Sequence, residues 1–154
     1  MFNIALYQPE IPPNTGNIIR LCANSGNQLH LIHPLGFVMD DKRMRRAGLD
    51  YHEFTQIQHH QDYSHFLANI AEKRIIACTT KTQQNYTEVQ YLPDDVLLFG
   101  PETRGLPQSI RENLEPQQLI RIPMLAASRS LNLSNAVAVI LYEALRQQGF
   151  SDLS

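Results

Sequence analysis

The chain has 154 residues and a formal net charge of -2, with 43% hydrophobic and 18% charged residues. This length is typical of one domain, and the apolar fraction is sufficient for a core, which excludes a disordered chain. Thirteen Lys and Arg residues against fifteen Asp and Glu residues exclude a uniformly basic nucleic-acid-binding surface, but not a local basic patch.

Apolar runs typical of β-strands alternate with helical patterns along the whole chain. The first half is predicted to contain, in order, a strand, a helix, a strand, a short charged helix, a possible edge strand and a helix, at residues 2–7, 15–25, 28–33, 41–47, 53–58 and 63–71. The second half is predicted to contain two strands, a short helix, a strand and a final helix, at residues 74–79, 96–99, 106–114, 119–122 and 133–147. This alternation, without a linker or an internal repeat, predicts one α/β domain with a mostly parallel sheet flanked by helices.

The cysteine content and the length of the apolar runs indicate in which cellular compartment the protein is expected. Cys22 and Cys78 form no Cys-x-x-Cys pair and are too few for a disulfide scaffold, so we expect a reducing compartment. The N-terminus lacks the basic segment of a secretory signal. The longest apolar run, residues 136–142, is shorter than the about 18 residues that a membrane span needs. We therefore expect a cytoplasmic protein without a membrane association.

Ligands bind at the carboxyl ends of the strands in parallel α/β sheets. This rule points to the loops after residues 7, 79, 99 and 122. The first of these leads into residues 14–20 (NTGNIIR), with Asn14 just before the predicted helix and Arg20 in its second turn. We expect both side chains to face one cleft. The alternative is that Asn14 only caps the helix and Arg20 is an ordinary surface charge.

The second unusual segment is residues 100–107 (GPETRGLP). Two glycines and two prolines predict a stiff loop whose backbone can approach a ligand closely. A plain turn needs neither Glu102 nor Arg104, so a functional loop is favoured. Neither GxxxxGK[ST] nor GxGxxG occurs, which disfavours a nucleoside triphosphate site and a Rossmann dehydrogenase.

The third segment is residues 122–135 (IPMLAASRSLNLSN), which leads into the last predicted helix. Small residues alternate with Arg129 and Asn132. Because the helix that follows is apolar on nearly all sides, we expect this loop to be a rigid platform held against the core. Capping of that helix by Asn132 or Ser134 is an additional, compatible role.

Other residues carry weaker signals. His59, His60 and His65 are not spaced with acidic or thiol ligands for zinc, so no metal is expected. The nucleophile elbow GxSxG of a serine hydrolase is missing. Four positive charges fall within residues 42–46, and they form either a solvated helix face or a phosphate-contact patch.

Taken in order, the three segments resemble the SPOUT superfamily of RNA methyltransferases, whose members carry N-x-G-N-x-x-R, G-P-E-x-x-G-L and I-P-M…S-L-N-x-S segments. The resemblance covers essentially the whole chain. The compact length, with no appended RNA-binding domain, resembles the bacterial enzymes that methylate the ribose 2′-hydroxyl of the wobble nucleotide of tRNA. The resemblance implies a Rossmann-like fold with a C-terminal deep trefoil knot, a homodimer to which residues 133–147 contribute, and S-adenosylmethionine as cofactor.

The resemblance also implies roles for individual residues. The positions that match the family's active site are Asn14, Arg20, Glu102, Ser130 and Asn132. Those that match its cofactor pocket are Cys78, Gly100, Ile122, Met124, Leu125 and Ser130. Because a guanidinium stays protonated, we expect Arg20 to hold the phosphate beside the acceptor ribose and not to act as a free base.

The RNA partner implied is the anticodon stem-loop of tRNA. The residues expected to contact it are Lys42, Arg43, Arg45, Arg46 and Arg129. Three alternatives stay open: a methyltransferase acting on ribosomal RNA or another tRNA position, a non-catalytic module that binds cofactor and RNA, and an enzyme acting on a small nucleotide. The missing phosphate loop disfavours the last.

Overall fold

The computed structural model describes residues 1–154, and the side chains of all of them except Tyr51 and Thr55. Within this part of the chain, six strands form one parallel sheet in the order β3-β2-β1-β5-β4-β6. The strands are β1 (Asn3–Tyr7), β2 (Gln28–Ile32), β3 (Gln58–His60), β4 (Ile75–Cys78), β5 (Val96–Phe99) and β6 (Leu119–Ile120). The helices are α1 (Pro12–Ser25), α2 (Asp41–Arg46), α3 (Tyr51–Thr55), α4 (Tyr63–Ile70), α5 (Gln108–Glu112) and α6 (Leu133–Gln147). Short 3-10 helices span Tyr86–Glu88 and Pro116–Gln118.

Helices cover both faces of the sheet. Successive residues of a strand point to opposite faces, and in β5 Leu97 joins one apolar cluster while Leu98 joins the other. The first cluster includes Ile140 of α6, and the second includes Phe66 of α4. The predicted α/β class, a parallel sheet flanked by helices, is confirmed.

The register of the sheet brings four loops to one edge. Phe99 at the end of β5 lies opposite both Leu6 of β1 and Cys78 of β4. Cys78 in turn lies opposite Ile120, the last residue of β6. Because all of these strands run parallel, the loops that follow β1, β4, β5 and β6 begin side by side.

The predicted edge strand at residues 53–58 is wrong. Residues 53–55 end α3, residues 56 and 57 connect α3 to β3, and only Gln58 is in a strand. Phe54 belongs to the first apolar cluster, which is the larger of the two, and Ile57 packs against it. A strand would have put residues three apart on opposite faces, whereas one helical turn followed by a bend puts them on the same face. β3 escaped prediction because its residues, Gln58–His60, are polar.

The first helix starts earlier than predicted. α1 begins at Pro12, so Asn14 is its third residue and does not precede it. Proline is tolerated there because the first N–H groups of a helix have no partner within the helix. The strand at 96–99 and the helix at 133–147 have the predicted bounds. Among the described residues, no helix is both long and apolar enough to cross a membrane.

Candidate active site

Three hydrogen-bonded side chains join the three unusual segments. The Asn14 Nδ2 donates to Glu102 Oε2 at 3.3 Å, and Asn132 Nδ2 donates to Asn14 Oδ1 at 3.0 Å. Asn132 Oδ1 accepts the backbone N–H of Asn135 at 3.2 Å and thereby caps α6. The predicted capping by Asn132 is therefore confirmed. The cluster Asn14–Glu102–Asn132 links the start of α1, the loop after β5 and the start of α6.

The loops after β1 and β5 are also bonded to each other through two carboxylates. Glu102 accepts the backbone N–H of Glu10 at 2.8 Å and that of Ile11 at 2.7 Å. Glu10 in turn accepts the backbone N–H of Thr103 at 3.0 Å and its hydroxyl at 2.8 Å. These bonds from Thr103 lower the pKa of Glu10, so its carboxylate stays ionised at neutral pH.

Gly100 sets the path of the loop after β5. A Cβ at this position would lie 2.3 Å from the backbone nitrogen of Leu106 and 2.5 Å from the carbonyl carbon of Gly105. Gly105 itself has a φ of 67°, in the left-handed region that glycine tolerates best. The loop therefore folds back tightly on itself directly after the strand.

A cavity of about 560 Å³ lies at the carboxyl edge of the sheet, between the loops after β4, β5 and β6. Of the residues assigned to the cofactor pocket, those that line it are Cys78, Gly100, Ile122, Met124 and Ser130. Glu102 also lines it, so the cavity adjoins the Asn14–Glu102–Asn132 cluster. Leu125 is not in its wall and is 82% exposed. The structure thus brings five of the six assigned pocket residues to one cavity.

Among the described residues, positive side chains in the wall of the cavity outnumber the single carboxylate, that of Glu102. The positive side chains in its wall are Lys81, Arg104, Arg111 and Arg129. Burial raises the pKa of the Cys78 thiol to about 12, so this residue contributes a neutral wall at physiological pH. The excess of positive side chains favours a ligand that carries a carboxylate or phosphate group.

Arg20 lies outside the cavity and outside the Asn14–Glu102–Asn132 cluster. Its Nε is 3.4 Å from Glu53 Oε2, and its Nη2 donates to the carbonyl oxygen of Gly48. The expectation that Asn14 and Arg20 face one cleft is wrong within a single chain. Six residues along a helix correspond to a rotation of about 240° and a rise of about 9 Å, so the two side chains leave α1 in different directions.

The predicted RNA-contact residues are divided between two places. Lys42, Arg43, Arg45 and Arg46 are exposed on α2, where Arg43 lies 3.9 Å from the N-cap carboxylate of Asp40. Arg43 lines a groove of about 440 Å³ together with Arg20. Arg129, in contrast, lies in the wall of the cavity.

The histidines pair with each other and with nearby polar groups. His30 and His60 lie 2.9 Å apart between ring nitrogens, and His33 and His59 lie 2.8 Å apart. His65 bonds to Asp62. Among the described residues, no group of three or more His, Cys, Asp or Glu side chains is placed to hold a metal ion.

Several residues of the site were not singled out in the sequence. Glu10 and Thr103 bind each other's loops, and Lys81 and Arg111 line the cavity. Lys81 stands in one of the four loops that the strand-end rule selects, so its position was a usable signal. Arg111 lies on α5, and only the folded path of the loop before it shows that it faces the cavity.

The chain matches a family model described as the SpoU rRNA Methylase family over residues 1–142. It is 62% identical to the tRNA (cytidine(34)-2′-O)-methyltransferase of Photorhabdus asymbiotica, in an alignment covering 98% of this chain and 96% of that protein. A solved structure described as giving insights into the 2-OH methylation of C/U34 on tRNA is 41% identical, with a TM-score of 0.88 and 97% of each chain covered. An AdoMet-bound rRNA methyltransferase from Sinorhizobium meliloti is 27% identical, with a TM-score of 0.79, over 94% of this chain and 56% of that one.

Proposed function

The chain belongs to the SpoU rRNA methylase family, and we propose that it methylates the ribose 2′-hydroxyl of the wobble nucleotide of tRNA, a cytidine or modified uridine at position 34. The observation that carries this proposal is the bonded cluster Asn14–Glu102–Asn132, which joins three segments beside one cavity. The name of the Photorhabdus relative and the description of the C/U34 structure support the choice of nucleotide.

The cavity fits S-adenosylmethionine as the methyl donor. Its volume of about 560 Å³ lies within the range of small-molecule sites, roughly 300–1,000 Å³. In the proposal, Cys78, Gly100, Ile122, Met124 and Ser130 hold the cofactor, with Leu125 contributing only through backbone next to Met124. The bound cofactor supplies a methyl group activated by a sulfonium, and S-adenosylhomocysteine is the product. The AdoMet-bound relative supports this assignment.

Positioning is the main contribution that these residues make to the reaction. A ribose hydroxyl is a weak nucleophile, so holding it in line for attack lowers the barrier most. The oxygens of Glu102 already accept two backbone N–H groups and the Asn14 amide. Glu102 therefore fixes the loops around the acceptor ribose, together with Asn14, Ser130 and Asn132. Arg20, which lies outside the cavity of its own chain, is proposed to bind a phosphate of the RNA substrate, because its guanidinium remains a cation with several donors.

The further properties of the proposed enzyme are its assembly and location. We propose one domain over residues 1–154 whose C-terminal part forms a trefoil knot, and a homodimer with α6 at its interface. Val139 and Tyr142 of α6 are 36% and 41% exposed, which leaves apolar surface for a partner. Light scattering in solution tests the dimer, which is expected to have twice the mass of the 17.6 kDa chain. We also propose a cytoplasmic location, which the tRNA-modifying relatives support.

The experiment for the proposed function uses labelled S-adenosylmethionine and a synthetic anticodon stem-loop. We expect label in the RNA, and none when nucleotide 34 is replaced by its 2′-deoxy form, because the acceptor hydroxyl is then missing. Label that persists in the deoxy substrate would assign the activity to another position. Binding of cofactor and RNA without any label would favour the non-catalytic alternative.

A further inference from the structure

The groove that contains Arg20 and Arg43 is separate from the cofactor cavity. It has a volume of about 440 Å³ and lies between α1, α2 and residues 37–38. Among the residues whose side chains are described, none lines both the groove and the cavity. The reaction proposed above uses Arg20 alone from this groove and leaves its apolar part without a role.

Two apolar side chains of the groove lack a place in the core. Val38 is 60% exposed. Phe37 is partly buried, but it packs against neither apolar cluster, whereas Leu35 and Met39 on either side both pack against the larger one. The aromatic ring of Phe37 and the side chain of Val38 therefore line the groove from a single loop.

The charge around the groove favours an anionic ligand. Arg20 and Arg43 line it, and Lys42, Arg45 and Arg46 follow on the exposed face of α2. Glu53 and Asp40 each face one of the two lining arginines. Among the described side chains, Lys42, Arg45 and Arg46 have no ion-pair partner. Against the five cations of this surface stand four carboxylates, those of Asp40, Asp41, Asp50 and Glu53, so a small excess of positive charge remains.

We propose that this groove binds one unstacked nucleobase of the RNA substrate, next to the methylated nucleotide, with its phosphates on the surrounding arginines. Single-stranded RNA is recognised by aromatic and guanidinium planes that stack on bases and by cations that contact phosphates, and this groove offers both. Because Asn14 and Arg20 are on the same helix, α1 couples the position of that base to the Asn14–Glu102–Asn132 cluster. The inference rests on the proposed function and adds a second contact point for the RNA.

The test combines one variant with a fluorescent base. Anticodon stem-loop RNAs carry 2-aminopurine at one loop position at a time, and their fluorescence is measured with the wild-type protein and with Phe37→Ala. We expect at least one position to be quenched by the wild type and not by the variant. We also expect the KM for RNA to rise about tenfold, as loss of one stacked base implies, with kcat little changed.

Controls separate stacking from folding and from charge. Phe37→Trp keeps an aromatic plane and is expected to keep both the quenching and the KM. Leu67→Ala removes an apolar side chain that is 40% exposed on α4, outside both sites, and is expected to behave as wild type. Arg43→Ala is expected to reduce the salt dependence of RNA binding, because it removes a phosphate contact. Phe37→Ala is expected to leave that salt dependence unchanged.

Two outcomes would overturn the inference. One is a Phe37→Ala protein with wild-type KM and wild-type quenching at every loop position. The other is a Phe37→Ala protein that binds RNA normally but loses its dimer in light scattering, which would make the groove a contact between subunits. A wild-type protein that binds RNA without methylating it would contradict the proposed function but not the groove, because quenching requires only binding.

Discussion

Glu10 and Glu102 hold each other's loops in place. Glu10 donates its backbone N–H to Glu102 at 2.8 Å, and Thr103, the neighbour of Glu102, donates its backbone N–H to Glu10 at 3.0 Å. The arrangement is possible because β1 and β5 are adjacent parallel strands whose ends are in register. Each carboxylate thus satisfies donors of the other segment, and neither is left free beside the cavity.

Glu102→Gln tests this bracing role. Glutamine has one acceptor oxygen, and its NH2 group would face backbone N–H donors, so we expect the free energy of unfolding to fall by about 1–2 kcal/mol. Methyl transfer is expected to fall with it. Urea unfolding and a methylation assay measure both, with Glu72→Gln, an exposed residue outside the site, as the control.

The two readouts separate bracing from chemistry. Lost activity at unchanged stability would give Glu102 a direct part in the reaction. Wild-type stability together with wild-type activity would refute both the brace and the assignment of Glu102 to the site.

Gly100→Ala is expected to weaken cofactor binding. The added Cβ would lie 2.3 Å from the Leu106 nitrogen, so the loop after β5 must move, and with it one wall of the cavity. We expect the Kd for S-adenosylhomocysteine, measured by calorimetry, to rise by about tenfold or more, which corresponds to about 1.4 kcal/mol. An unchanged Kd would show that this loop does not contact the cofactor.

Gly149→Ala is the matched control for the Gly100 experiment. Gly149 has a φ of 71° and nothing within 4 Å of the added Cβ. The substitution strains the backbone far from the cavity, so we expect some loss of stability with unchanged binding of S-adenosylhomocysteine.

The parts of this fold that the sequence predicts well are those with a strong apolar signal. The strand at 96–99 is fully buried and the helix at 133–147 buries one apolar face, and the bounds of both agree with prediction. The polar strand β3 has no such signal, because its place depends on pairing with β2. Phe54 and Ile57 show that a short helix can carry a pattern that is easily mistaken for a strand.

Some features of the candidate site can also be predicted from the sequence, and others cannot. The rule that ligands bind at strand ends selects the loops that line the cavity, since it depends only on parallel strands. Asn14 and Arg20 lie six residues apart on α1, so their side chains point in different directions. The proline pair at the start of α1 also makes the helix begin three residues earlier than predicted. The bonds between Glu10 and Thr103 join residues 93 apart in sequence, and no local pattern indicates them.

Arg20→Ala separates RNA positioning from cofactor binding. Arg20 lies in the groove and not in the wall of the cavity, so we expect methyl transfer to be abolished while the Kd for S-adenosylhomocysteine is nearly unchanged. Arg20→Lys keeps one charge without the planar fork and is expected to retain partial activity. An equal loss of binding and transfer in Arg20→Ala would contradict the role assigned to this residue.

Four polar side chains form a hydrogen-bonded network that runs from Asn69 of α4 across β3 and β2 to Asn3 of β1. Asn69 Nδ2 bonds to His60 Nδ1 at 3.3 Å, His60 Nε2 to His30 Nδ1 at 2.9 Å, and His30 Nε2 to Asn3 Oδ1 at 3.1 Å. The amide ends set the direction, so each imidazole has one donor and one acceptor in use. Burial, and then the charge of His60, lower the pKa of His30 to about 4.

This hydrogen-bonded network predicts that the folded protein loses stability in acid. An unfolded histidine takes up a proton near pH 6.5, whereas folded His30 does so only near pH 4, so unfolding is favoured as the pH falls between these values. The loss of stability attributable to His30 approaches about 3 kcal/mol at the lower end. Thermal unfolding between pH 7.5 and 4.5 measures it, and His30→Gln is expected to flatten the dependence. An equal pH dependence in the variant would assign the effect to other groups.

The most direct measurement is to incubate the protein with labelled S-adenosylmethionine and separate pools of total tRNA and ribosomal RNA, and to map the methylated nucleotide by mass spectrometry. We predict one 2′-O-methylated nucleotide, at position 34 of a subset of tRNAs, and no label in ribosomal RNA. A methyl group at another tRNA position or in ribosomal RNA would contradict the assigned substrate. No incorporation into either pool would contradict the enzyme itself.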